Sequence, residues 1–147
     1  MRQIGIAGIL GALLVALAAG SVEAPYHTAS TPPAGGAFAA QAKTAAAHAS
    51  YAAEGSTVTY VREHLEHALL CIEGPKGKNV NAAWENPCAG QGGGVLRDLG
   101  AGGGSWRPVA EAADGLAVAG LRAHSLPTMK AAARGTAALM TLIAGAK

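Results

Sequence analysis

Aromatic side chains are scarce in this chain, which has one Phe, two Trp and three Tyr among 147 residues. A core made mainly of Ala, Leu and Val must be thin and closely packed, and it leaves no cavity of haem size. Charge is sparse too, at 14% of residues, with Lys and Arg scattered singly and no block of like sign. The net formal charge of +2 is too balanced for the clustered basic face of a nucleic-acid binder. There are only two cysteines and no CxxCH, so the haem-attachment motif is missing; an axial pair of a His with Met129 or Met140 would also need the cavity excluded above. Gly92-Gly93-Gly94 has no Lys-Ser/Thr after it and no strand before it, and therefore reads as a flexible loop rather than a nucleotide-phosphate cradle. No strand signal occurs anywhere, which leaves an all-α fold.

What is present begins with a segment of export type. Arg2 provides a positive start, Ile4 to Gly20 is apolar or small, and Val22-Glu23-Ala24 ends in a small residue suited to cleavage. Residues 1–24 are therefore expected to be a signal peptide; the competing reading is an uncleaved anchor, since the apolar run approaches the ~20 residues that span a bilayer. No Cys follows the run, so a lipid anchor is not indicated. Removing 24 of the 147 residues takes away one Arg and one Glu, leaving ten basic and eight acidic residues and the same net charge. Residues 25–36, PYHTASTPPAGG, are expected to be a flexible lead-in, with His27 solvated there.

Residues 37–147 are expected to form one helical domain. Ala37 to Glu54 is rich in the best helix former and stops at Gly55, although a run of Ala on nearly every side does not show which face is buried. Ser56 or Thr57 can cap a second helix whose apolar face holds Val58, Val61, Leu65, Ala68, Leu69 and Ile72, ending at Gly74-Pro75. A long connection from Gly74 to Ser105 follows, from which Trp84, Val95 and Leu96 can pack back onto the helices. Ser105 is expected to cap a third helix with a seam of Val109, Ala113, Leu116, Gly120 and Ala123. After Pro127, a fourth helix reaches about Ala144, burying Met129, Ala133, Thr136, Met140 and Ile143, widened by Leu139 and Leu142. The expected architecture is an up-down four-helix bundle with a long disulfide-pinned loop between the second and third helices.

Side-chain chemistry concentrates between Val61 and Asp98. His64, His67 and Cys71 fall on one flank of the second helix beside Tyr60, and Cys88 lies in the loop. In an exported chain the two cysteines point to a Cys71–Cys88 disulfide, worth roughly 3 kcal/mol by loop closure. The alternative is a Cys2His2 zinc site that joins both thiols to His64 and His67. With the sulfurs oxidised, His64 and His67 at i, i+3 can chelate Cu or Zn, and His48 on the first helix can supply a third imidazole. The bland reading is three ordinary surface histidines. No Ser, His and Asp order suggests a catalytic triad, and Asp98 near a loop Ser is too common a pairing to indicate one.

EHLEHALLCIEG followed by NPCAG resembles a pattern found in small periplasmic helical proteins of proteobacteria, and HLEHA is similar in style to small His-bearing periplasmic metal-binding proteins. The resemblance covers about a third of the mature chain, and it implies a ligand role for His64 and His67. The function expected is that of a periplasmic or secreted, non-catalytic helical protein that binds or buffers a transition-metal ion, free of the membrane once the signal peptide is cleaved. The alternative is a structural or interaction module of the cell envelope presenting the Gly-rich loop 74–105.

Overall fold

The computed structural model describes residues 36–101 and 103–146. The expected signal peptide, the lead-in up to residue 35 and His27 lie outside the described residues. Five helices follow one another: α1 (Ala37–Glu54), α2 (Val58–Glu73), α3 (Val95–Leu99), α4 (Trp106–Arg122) and α5 (Leu126–Ala144). No strand occurs among the described residues, so the fold is all-α. None of these helices is long and apolar enough to cross a membrane.

Local chemistry sets most of the helix ends. Thr57, in extended backbone, accepts a hydrogen bond from the Tyr60 amide and so starts α2; Ser125 does the same for Thr128 at α5, with Pro127 in the first turn. Ser105 does not cap α4 as expected. It already has helical backbone angles, which turn its hydroxyl away from the first free amides, and the Trp106 amide is satisfied by the Gly103 carbonyl instead.

The helices pack as a bundle with two apolar clusters, one at each end. One holds Phe38, Ala42 and Ala45 of α1, Ile72 of α2, Ala110 and Ala113 of α4, and Met140 and Ile143 of α5. The other holds Ala52, Val61, Leu65, Leu69, Ala117, Met129 and Ala133. Helix α1 lies against α5 and α2, and α4 closes the far side against the same two helices. The uniform Ala surface of α1 resolves into one buried stripe, with Ala42, Ala45, Ala49 and Ala52 all without exposure. The expected α5 face is fully buried, although Leu142 stands out into solvent. Two faces differ from expectation: Val58, at the first residue of α2, is 47% exposed, and the buried seam of α4 is Ala110, Ala113, Ala117 and Gly120. The seam shifts because α5 approaches so closely there that a Cβ on Gly120 would lie 3.0 Å from both Ala132 Cβ and Leu65 Cδ1. Small residues decide the contact face rather than the bulkier Val109 and Leu116.

The long connection is more ordered than a plain loop. Cys71 and Cys88 form the expected disulfide, with their Cα atoms 5.3 Å apart. The Asn79 amide and side chain donate to the Glu73 carboxylate, and the Cys88 amide donates to Asn86 Oδ1 in a local turn. Helix α3 was not expected. Its five residues bury Val95 and Leu99, one turn apart, and glycines of positive φ, Gly94 and Gly100, bound it. At Gly94 the chain crosses the end of α2 so tightly that a Cβ would sit 2.5 Å from both the Glu73 carbonyl carbon and the Gly74 nitrogen. The glycine run is therefore a close backbone crossing.

Candidate metal centre

His48 on α1 and His64 and His67 on α2 come together at the end of the bundle where α1 turns into α2. The turn is short because Gly55 closes α1 with its amide on Tyr51 and Ala52 carbonyls, and α2 begins three residues later. The buried Ala stripe of α1 fixes that helix's rotation, so His48, next to Ala49, faces the α1–α2 boundary. The i, i+3 spacing then puts His64 and His67 on the same flank of α2. One ligand atom from each ring lies within 4.8 Å of the other two, and all three side chains are half-buried.

The rings form one aromatic cluster. His48 is centred 5.3 Å from His64 and 4.9 Å from His67, and His64 is 5.7 Å from His67. Tyr60 lies against His64 at 4.3 Å, Tyr51 at 5.4 Å, and Trp84 from the loop meets His67 edge-on at 6.0 Å. The His48 and His64 Nδ1 atoms are 3.1 Å apart, a separation that needs one to carry a proton and the other a lone pair. Two protonated rings cannot coexist there.

The electrostatics agree. Burial first, then the neighbouring charges of His67 and His64, bring the His48 pKa down from 6.5 to about 4, against an opposing pull from Glu63. Burial also lowers that of His64, with Glu63 opposing and His67 adding to the fall. Neutral imidazole is the form that binds a metal ion, so both rings are already in the ligating state at neutral pH. His67 Nδ1 is shut off from solvent and has no hydrogen-bond partner within the protein. An orphaned buried nitrogen costs on the order of 1–3 kcal/mol, and a bound cation would satisfy a lone pair there. The donor set of three imidazoles suits Zn, Cu or Ni rather than Ca or Mg.

The Cys2His2 alternative is overturned. Both cysteines are oxidised in the disulfide and buried in one cluster with Phe38, Ile72 and Val95, so Cys71, two turns along α2 from His64, has no thiol to offer a metal. His124 stands exposed just beyond the end of α4 and is not one of the three converging imidazoles.

A second polar assembly went unread in the sequence. Gln41, fully buried on α1, accepts from the Gly94 amide (2.5 Å) and donates to Asp98 (2.5 Å), whose carboxylate also takes the Gly93 amide (3.0 Å). It fastens the start of α3 to α1, and the one available signal was a lone Gln in a run of Ala. No protein-family model matches the chain, and no curated protein or solved structure does either.

Proposed function

We propose that this is an exported helical protein that binds or buffers a transition-metal ion, copper or zinc, through His48, His64 and His67, without catalysing a reaction. The observation that carries the reading is the convergence of three half-buried imidazoles from two helices, with ligand atoms within 4.8 Å of one another. Such a set gives three neutral donors and leaves further positions on the ion to solvent or another ligand. Export is supported by the n-region and apolar run of residues 1–24 and by the disulfide, a bond that persists in oxidising compartments. A periplasmic or secreted location follows, in line with the resemblance to small periplasmic helical proteins. In this reading residues 37–147 form one domain whose four long helices run up, down, up and down, with α3 as an insert in the long connection.

Calorimetric titration of the oxidised mature protein with Zn(II) and Cu(II), accompanied by histidine NMR shifts, tests the reading. Binding should be near one ion per chain and should perturb all three rings. The double change His64→Ala with His67→Ala should abolish it while leaving helical content nearly intact, because neither ring belongs to the apolar clusters. Equal affinity before and after that change would overturn the proposal.

A further inference from the structure

Away from the histidines, a cleft of about 590 Å³ opens between the end of α2, the loop after it and α4, with Glu73 and Asp114 in its wall. Asp114 Oδ1 is sealed from solvent and receives no donor from the protein. Glu73 lines the same cleft, and its carboxyl, also an acceptor when ionised, is in hydrogen-bond contact with the Asp114 carboxyl. Two such groups in contact are compatible only if a proton lies between them.

Their surroundings say where that proton resides. The Asn79 side chain and amide both donate to Glu73, and Lys78 adds positive charge; these outweigh burial and keep Glu73 below its ordinary range. Asp114 has no such donors. Burial first, then the hydrogen bond and the charge of Glu73, raise it to about 7; Lys78 opposes the rise and Glu111 adds to it. The remaining charged groups on the cleft are Arg97 of α3 and Arg107 of α4. Arg107 is already committed to Glu111 and to the Leu96 and Gly100 carbonyls. Against this stretch of α4, α5 presents Thr136, whose hydroxyl donates to the Ala113 carbonyl.

We propose that the Glu73–Asp114 pair is a proton-operated latch, closed by a proton shared between α2 and α4 and released when that proton leaves. Glu73 is also the anchor of Asn79, so release acts directly on the loop between Gly74 and Gly94. Because folding raises the Asp114 pKa, the latch's contribution is complete below the unfolded value near 3.8 and is lost as pH rises through about 7. The loop should therefore be held more tightly in mildly acidic than in mildly alkaline surroundings. The latch does not depend on the histidine reading.

Hydrogen exchange on the metal-free, oxidised protein, corrected for the intrinsic pH dependence of exchange, provides the test. Between pH 6 and pH 8, protection of the Asn79 amide and its loop neighbours should fall several-fold; one proton allows at most about tenfold per pH unit, and partial solvent screening reduces that. Asp114→Asn, which keeps a donor toward Glu73 and cannot ionise, should flatten the dependence. An unchanged slope in that variant, or no slope in the wild type, overturns the proposal. Carboxyl NMR on the unmodified protein decides the case independently of how the variant folds: a midpoint for Asp114 near neutrality supports the latch, and one below about 5 sinks it. Glu73→Gln should return that midpoint toward the ordinary carboxylate range.

Discussion

Acidification should weaken the metal-free protein through His48. Folding places this imidazole where burial and two neighbouring rings oppose its charge, so its pKa drops from 6.5 to about 4. Between those values the unfolded chain holds the proton and the native protein does not. The stability owed to the neutral ring is therefore complete above about pH 6.5 and is lost as pH falls toward 4. At ~1.4 kcal/mol per pH unit the span sets a ceiling of roughly 3.5 kcal/mol. The ring is only half-buried and water screens much of the interaction, so about 1 kcal/mol is the expected size. Urea unfolding of EDTA-treated protein at pH 7.5 and 4.5, with His48→Gln measured alongside, isolates this part from every other titrating group. The wild type should lose about 1 kcal/mol more than the variant on acidification. Equal losses would refute the claim that the cluster excludes a proton, and with it the argument that these rings are preset as ligands.

Three further outcomes are expected. Zn(II) binding at pH 6.5 should release fewer protons than the roughly 1.5 that three ordinary imidazoles would give up, since His48 and His64 are already depleted of theirs; calorimetry in buffers of different ionisation enthalpy measures the number. Cys88→Ser should cost about 3 kcal/mol in urea unfolding and raise hydrogen exchange first between Gly74 and Ser105, whereas simultaneous loss of all helical signal would mean that the bridge holds the whole core. Gln41→Leu should destabilise by about 2–4 kcal/mol, because the buried Gly94 amide loses its acceptor and Asp98 a donor; a change under ~0.5 kcal/mol would show that water replaces both bonds.

The ends of α1 and α2 were legible because they depend on near neighbours: Gly55 and Gly74 stop helices and Thr57 starts one, whereas α5 starts at Ser125, ahead of the Pro127 after which it was expected. The buried face of α5 was legible as well, since Met129, Met140 and Ile143 contrast with the polar residues between them. No such contrast exists in α1, where Ala lies on every side, and only the packing against α5 and α2 selects the stripe. Helix α3 escaped for a related reason: five residues hold too little periodicity to register, and its stability comes from Val95 and Leu99 sinking into a cluster built by distant residues. The three histidines could be grouped from the i, i+3 spacing plus one free imidazole on the adjoining helix. Their mutual distances and the Tyr51, Tyr60 and Trp84 edges around them depend on how the two helices are rotated. Gln41 lies 53 residues from Gly94 and 57 from Asp98, so no local pattern announces it.

The alanine seam of α1 reverses the usual tolerance of a protein interior. In most cores the damaging substitution is truncation, because a large side chain leaves a void. Ala42, Ala45, Ala49 and Ala52 have almost nothing to truncate, and ordering them costs no rotamer entropy. Enlargement is the hazard: even Ala→Val at a fully buried position must push α1 away from α5 or α2, at a cost of about 1–3 kcal/mol. Since His48 lies on α1 and its partners on α2, a methyl group added several turns from the histidines would change the distance between them. The geometry of the cluster is thus set by how small its neighbours are, and a drift in size along that stripe would alter it without touching a single histidine.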